Sequence, residues 1–235
     1  MKIYAILTGK KNSTLKNKNI LKILKQRVFI YPAKSARKSK NIEKYFTSSD
    51  SKVMLNETKK IGYIPINRPA YLSSKNSKHR DVLLHSLKFI KTNLNILPDV
   101  VLVLLANSPT IKTKWIDECV KIMKNQNVDA VVPVVKNNDH HPLRAKQIKN
   151  NILKPYLKMP KNMSTNRQEL TSSYFLAHNF WLIKTSCIYN NKGLMPWAFM
   201  GKKVVAYEID ESIDIHNTND IENCKKWLLK NKNIL

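Results

Sequence analysis

Residues 99–110 read DVVLVLLANSPT. Six aliphatic side chains run unbroken from Val100 to Leu105, and the chain then turns to Ala106-Asn107-Ser108-Pro109. A run that short, rich in Val and closed by a polar loop with a proline, predicts a strand buried on both faces of a parallel sheet. In open α/β sheets, ligands settle just outside the carboxyl ends of the strands. Asn107 and Ser108 therefore hang over the predicted crevice, where an amide and a hydroxyl can fix a polar ligand. The same residues also read as a plain turn and helix start.

Outward from this strand the pattern alternates. Residues 2–8 predict a first strand, followed by a basic loop, GKKNSTLKNKN, ending at Asn19. A helix is expected at 32–39, a strand at 42–48 and a short helix at 52–60 closed by Gly62. A third strand at 63–66 runs into Asn67-Arg68-Pro69. Residues 80–91 form the best amphipathic helix, with Val82, Leu83, Leu87 and Ile90 on one side. A helix at 113–123 and a strand at 130–135 follow the buried run. Strands alternating with helices of this length indicate βαβ units, hence a Rossmann-like, mostly parallel twisted sheet with flanking helices. Beyond Val135 the pattern loosens, and 137–169 reads as loops and an excursion arm from a single domain spanning 1–235. Strand-like patterns return at 173–183 and 203–207. Residues 220–230 close the chain as a helix with Ile221, Cys224, Trp227 and Leu228 as its apolar stripe.

At 235 residues and 43% hydrophobic composition the chain can bury a sizeable core. No apolar run approaches the ~18 residues of a membrane span. The opening MKIYAILTGKK turns polar too soon for a secretory signal and reads as a strand, so a cytoplasmic protein is expected. Cys119, Cys187 and Cys224 are odd in number and lack close metal-ligand spacing, which fits free thiols. Forty-two basic residues against sixteen acidic give a net charge of +26, which invites a nucleic-acid reading. Only six of those residues are Arg, however, and the lysines are spread along the whole length among many Asn and Ile. That mixture is what an AT-rich coding sequence produces. There is no zinc-finger spacing, RNP-like aromatic motif or basic zipper, so a nucleic-acid partner is only a remote alternative. The scarcity of Arg marks Arg68, Arg144 and Arg167 as places where a planar bidentate donor is needed and Lys does not serve.

Several segments, in order, carry a family resemblance. They are Gly9-Lys10-Lys11-Asn12-Ser13 closing at Lys18-Asn19-Ile20, then Arg68-Pro69, then Asp81-Val82-Leu83-Leu84-His85. The leucine-rich run ending in Ser108-Pro109 follows, with Arg167-Gln168-Glu169-Leu170 and Ser212-Ile213-Asp214-Ile215 after it. Together these resemble the acylneuraminate cytidylyltransferases, which couple CTP to sugar acids such as sialic acid. The chain departs from that pattern at four places. The first basic residue of the loop is Lys10 only with a one-residue gap, and Ala106-Asn107 replaces an expected Gln. Asp214-Ile215-His216 stands for an Asp-x-Asp pair, and Ala177-His178 falls near the Asn-Gly of the sugar pocket. These departures gather on the acceptor side.

The resemblance implies a fold of the nucleotide-diphospho-sugar transferase type and nucleotide binding by Thr8, Gly9, Lys10, Asn12, Lys18, Asn19, Arg68 and Ser77. It implies acceptor binding by Asn107, Ser108, Arg144, Arg167 and Gln168. It also implies Mg²⁺ at Asp214 and His216, a homodimer formed through the 137–169 arm, and a product for surface-glycan or lipopolysaccharide synthesis. The chemistry is compatible, since backbone N–H groups and lysines of the first loop can face phosphate oxygens. A carboxylate at Asp214 can reach Mg²⁺ bound by a triphosphate. A neutral imidazole is a poor Mg²⁺ ligand and a better one for softer metals. Either one carboxylate suffices, or metal use has shifted or weakened. The adjacent His140 and His141 would face opposite ways on a strand and read as a loop feature. Trp115, Trp181, Trp197 and Trp227 read as core or interface residues. Three rival readings stay open: another acceptor, such as a phosphonate or a different sugar acid; a degenerate homologue that binds nucleotide without turnover; and, from charge alone, a remote one, a nucleic-acid-binding protein. If Arg167 clamps an acceptor carboxylate, Arg167→Lys keeps the charge but loses the bidentate fork. Steady-state kinetics should then show a raised acceptor KM with CTP affinity nearly unchanged; wild-type kinetics would remove Arg167 from the site.

Overall fold

The computed structural model describes residues 1–11 and 18–231, so Asn12 and Ser13 of the first loop lie outside the described residues. In chain order, β1 (Ile3–Thr8) leads through the small hairpin of β2 (Lys22–Ile23) and β3 (Gln26–Arg27) to α1 (Ile30–Lys38). Next come β4 (Lys44–Ser49), α2 (Lys52–Lys59), β5 (Ile64–Asn67) and α3 (His79–Leu94). The aliphatic run is β6 (Val100–Leu105), followed by α4 (Thr113–Asn125) and β7 (Ala130–Lys136). A second hairpin, β8 (Lys146–Lys149) with β9 (Ile152–Pro155), precedes β10 (Tyr174–Leu176), β11 (Phe180–Lys184) and α5 (Thr185–Asn190). The last elements are β12 (Val204–Glu208) and α6 (Thr218–Lys230).

Eight of the strands make one mixed, mostly parallel sheet with helices on both faces. β5, β4, β1 and β6 run parallel side by side, and β11 pairs antiparallel with both β6 and β7. β12 pairs parallel with the far side of β7. Alternation along each strand sorts side chains between two cores. On β1, Ile3, Ala5 and Leu7 join the layer that contains Trp115, Ile116 and Trp227, while Tyr4 and Ile6 join the layer that contains Leu83, Leu87 and Ile90. β6 divides in the same way, and Val100 to Leu104 are at most 1% exposed. No helix among the described residues is long and apolar enough to cross a membrane. Cys119, Cys187 and Cys224 are free, two of them buried.

Two expectations need correction. The strand expected at 173–183 is broken into β10 and β11, which lie on the same side of β7 with 177–179 between them. Opposite the break stands Pro133, which has no N–H to give the ladder and only accepts from the Ala177 amide at 2.9 Å. Asn179, fully buried, completes the interruption. Its side-chain oxygen accepts from the Phe180 amide at 2.8 Å, and its backbone carbonyl accepts from Leu105 at 3.1 Å. The second correction concerns 137–169, which holds an ordered hairpin, β8–β9, rather than loops alone. Asn150 and Asn151 both have positive φ, at 51° and 59°, the conformation a two-residue hairpin turn needs. The hairpin leaves Ile148, Ile152 and Leu153 largely exposed. The β2–β3 hairpin and α5 stand where the sequence reading placed no element, and the other differences are of boundary, as at α1, which begins before Pro32 because proline is tolerated in a first helical turn.

The entry into β12 depends on Asp129. Its carboxylate accepts from the amides of Lys202 and Lys203 at 2.8 and 2.9 Å. Those amides, that of Lys203 most, hold the carboxyl below its ordinary value of 3.8. Because the folded pKa is depressed, this stabilisation is present above the unfolded value and is lost as pH falls through the folded one. Asp129→Ala is expected to cost about 1–3 kcal/mol near neutral pH. The gap in melting temperature from the parent should narrow below pH ~3.8, and thermal denaturation across that range checks it.

Candidate active site

The site is built by register. Thr8 lies beside Ser48 of β4 on one flank and Leu105 of β6 on the other, so three neighbouring parallel strands end level. Arg68, just past the end of β5, is drawn to the same line by its amide, which donates to the Ser49 carbonyl at 3.0 Å. Beyond these ends opens a crevice of about 900 Å³. Thr8, Gly9, Lys10, Lys18, Asn19, Arg68 and Ser77 all line it, together with Asn107. Of the nucleotide residues expected from sequence, Asn12 alone is missing from this wall, being outside the described residues. Gly9 is forced by close approach, because a Cβ there would meet Met54 Cε at 2.5 Å and Ala106 Cβ at 2.7 Å.

The cations differ in how they are held. Lys10 donates to the Ser74 carbonyl at 3.3 Å from an exposed position. Lys18 is buried and donates to the Ile215 carbonyl at 2.7 Å. Burial pulls its pKa down, and the nearby carboxylates of Asp214 and Asp220 oppose that pull. Arg68 donates through Nη2 to the Ser48 carbonyl at 2.6 Å and through Nε to Ser48 Oγ at 3.3 Å. Burial lowers its pKa to about 10, which still leaves a cation near neutral pH. Asn19 donates to the Lys10 carbonyl at 2.8 Å, but its Oδ1, like Ser73 Oγ, is buried with no partner among the described residues. Buried polar atoms are rarely left unpaired, so two orphans on one crevice wall mark where a ligand's groups belong.

Sequence reasoning missed His79, and gave His178 only as falling near the Asn-Gly of the family's sugar pocket. His79 Nε2 lies 3.1 Å from Thr8 Oγ1, and its ring packs on Trp181 with centroids 5.5 Å apart. Burial, then the Arg68 charge and His178, push its pKa down to about 4, so it is a neutral imidazole in the wall. His178 sits in the break between β10 and β11, against Trp181 and Trp197. The break itself was signalled by Pro133; nothing in the sequence signalled His79.

The 213–215 segment is clamped onto the loop that follows β6. Ser108 Oγ donates to the Ile213 carbonyl at 3.0 Å, the Ile213 amide donates to Thr110 Oγ1 at 2.8 Å, and the Ile215 amide donates to the Asn107 carbonyl at 3.1 Å. Ser108 is fully buried and withdrawn from the crevice, so its hydroxyl positions the Asp214 segment instead of facing a ligand. Asn107 Nδ2 donates to Asp214 Oδ1, and His216 Nε2 lies 2.8 Å from Asp214 Oδ2. Burial raises the Asp214 pKa, while His216, Lys18 and His178 draw it back. No group of three or more His, Cys, Asp or Glu side chains converges among the described residues. These donors fit a cation that takes most of its ligands from a triphosphate and water, not one caged by protein.

Arg144 and Gln168 are exposed on the arm and do not line the crevice. Arg144 borders a smaller hollow with Met159 and Met163. Arg167 lies in a short turn, and its side chain is outside what the structure describes. His141 Nδ1 accepts from the Leu143 amide at 3.2 Å, a local turn contact.

Residues 10–225 match the family model for cytidylyltransferases. The chain belongs to the cytidylyltransferase family. Among curated proteins this cytidylyltransferase is 26% identical over 177 residues to the pseudaminic acid cytidylyltransferase and UDP-2,4-diacetamido-2,4,6-trideoxy-beta-L-altropyranose hydrolase of Helicobacter pylori. That match covers 74% of the chain and only 33% of the relative, so the chain spans about a third of that relative's length. In fold it resembles CMP:2-keto-3-deoxy-manno-octonic acid synthetase complexed with CTP, with a TM-score of 0.72 at 12% identity over 98% of this chain and 99% of that one. It also resembles 4-diphosphocytidyl-2C-methyl-D-erythritol synthase from Anaerococcus prevotii, with a TM-score of 0.67 at 14% identity over 97% and 96% of the two chains. Identities this low speak for the fold alone.

The clamp is open to a direct test. Ser108→Ala leaves the Ile213 carbonyl short of its best donor and should destabilise the protein by about 1–3 kcal/mol. Calorimetric titration should find the affinity for a nucleoside triphosphate unchanged; a loss of affinity without a loss of stability would return Ser108 to the ligand's surroundings.

Proposed function

We propose that this cytidylyltransferase transfers a cytidylyl group from CTP to an acidic sugar of the sialic-acid type, with release of pyrophosphate. The observation that carries the reading is the wall of the crevice, where Lys10, Lys18 and Arg68 converge on a glycine approach at the level ends of β1, β4 and β6. Fixed cations aimed at a phosphate chain stabilise charge that develops on transfer without reorganising at that moment. In the reaction the acceptor's hydroxyl oxygen attacks the α-phosphorus in line and gives its proton to solvent, the bond to the β-phosphate oxygen breaks, and pyrophosphate leaves. Lys10 and Lys18 hold the phosphate oxygens, and Arg68 fixes the nucleotide's other end. Holding both reactants in one geometry supplies much of the rate. A divalent cation, Mg²⁺ on the family resemblance, would be held by Asp214 together with the triphosphate and would neutralise phosphate charge.

Support for an acidic sugar comes from the relatives, named for pseudaminic acid and for 2-keto-3-deoxy-manno-octonic acid. The exposed Ile148, Ile152, Leu153 and Tyr156 on the arm suit a contact between two copies of the chain, hence a homodimer. A cytoplasmic enzyme supplying surface-glycan synthesis completes the proposal. A second reading, binding of nucleotide without turnover, is favoured by His216 in place of a carboxylate and by Ala106-Asn107 in place of Gln.

Thermal shift against CTP, ATP, GTP and UTP with a divalent cation should show the largest rise for CTP. Equal rises that vanish in salt would mean a non-specific polyanion surface. Pyrophosphate release with CTP and a panel of sugar acids then separates enzyme from binder. Asp214→Asn should lower kcat by roughly 10²–10³, the scale of one main electrostatic contact. An inert parent that still binds CTP would leave the second reading standing.

A further inference from the structure

We propose that Asp214 and His216 form a mixed carboxylate–imidazole centre that takes a first-row transition cation, Mn²⁺ or Co²⁺, in preference to Mg²⁺. The inference rests on the cytidylyltransferase reading, because the triphosphate must complete the coordination. Asp214 Oδ2 and His216 Nε2 are 2.8 Å apart. Two neighbouring ligands of an octahedral ion, each about 2.1 Å from it at a right angle, are separated by roughly 3 Å. The pair therefore needs to open by only a few tenths of an ångström to admit a cation.

The mechanical setting suits that exchange. Asp214 is fixed by Asn107 on its other oxygen and by the clamp on Ile213 and Ile215. Apart from its contact with Asp214, His216 is anchored among the described residues through its amide, which donates to Asp220 Oδ2 at 2.7 Å. Its side chain is 60% exposed, against 22% for Asp214, so the imidazole is the member free to adjust. The charge setting decides between metals. The pair offers a single carboxylate where two would better suit a hard cation, and Lys18 stands close enough to oppose a cation. Mg²⁺ gives up water reluctantly and selects oxygen ligands, whereas imidazole contributes real affinity for transition ions. With no third protein donor among the described residues, binding must also depend on nucleotide.

Pulsed electron paramagnetic resonance of Mn²⁺ added to the full chain, with and without CTP, tests this on the unmodified protein. With CTP, bound Mn²⁺ should show the ¹⁴N coupling of a directly ligated imidazole, and Mg²⁺ should displace it poorly. His216→Ala should lose the nitrogen coupling, and His216→Asp should lose it and shift the preference toward Mg²⁺. Mn²⁺ held with CTP but without nitrogen coupling would overturn the proposal and leave the cytidylyltransferase reading intact. So would a Mg²⁺ preference already present in the parent. Failure of CTP to bind at all, seen by thermal shift, would overturn both.

Discussion

Both faces and both edges of β6 are covered, so nothing between Val100 and Leu104 can reach water. Every polar requirement of the chain is displaced to the strand's end, where Asn107, Ser108 and Thr110 meet the 213–215 segment. Two stretches more than a hundred residues apart are joined there by hydrogen bonds on a rigid base. The carboxylate of Asp214 takes its place from that join, and Lys18 takes its own by reaching across to Ile215. Loosening the seam would move the acidic and the basic side of the crevice together.

The electrostatics of the molecule are less diffuse than a charge of +26 suggests. Exposed lysines are screened beyond about 8–10 Å at ordinary ionic strength. Lys18 and Arg68 are different, since both are buried and both donate to backbone carbonyls at strand or segment ends. They are held where low polarity makes their charge count, at the expense of a lowered pKa. His79 complements them as an uncharged filler between Thr8 and the indole of Trp181.

What was legible from sequence follows from physics. β6 could be read because burial on both faces demands an unbroken aliphatic run, and α3 because one buried face imposes helical spacing on Val82, Leu83, Leu87 and Ile90. The crevice lysines and Arg68 could be placed because strand ends are where an α/β sheet binds. Ser108 reads the same whether its hydroxyl faces a ligand or a carbonyl, and only the packed partner, Ile213, decides. His79 was hidden because its neighbours, Trp181 and Phe199, come from distant elements. The hairpin in the arm was hidden for the opposite reason. Its strands bury little of their own surface, so they carry no alternation to detect.

The level finish of β4, β1 and β6 also limits how such a chain can change over generations. A single codon inserted within β1 would exchange Tyr4 and Ile6 with Ala5 and Leu7 between the two cores and carry Thr8 away from His79. Length drift is therefore confined to the turns that leave the sheet, where an added residue disturbs neither core. Divergence toward new acceptors has to be written in those same turns, while the strands beneath them stay the same length.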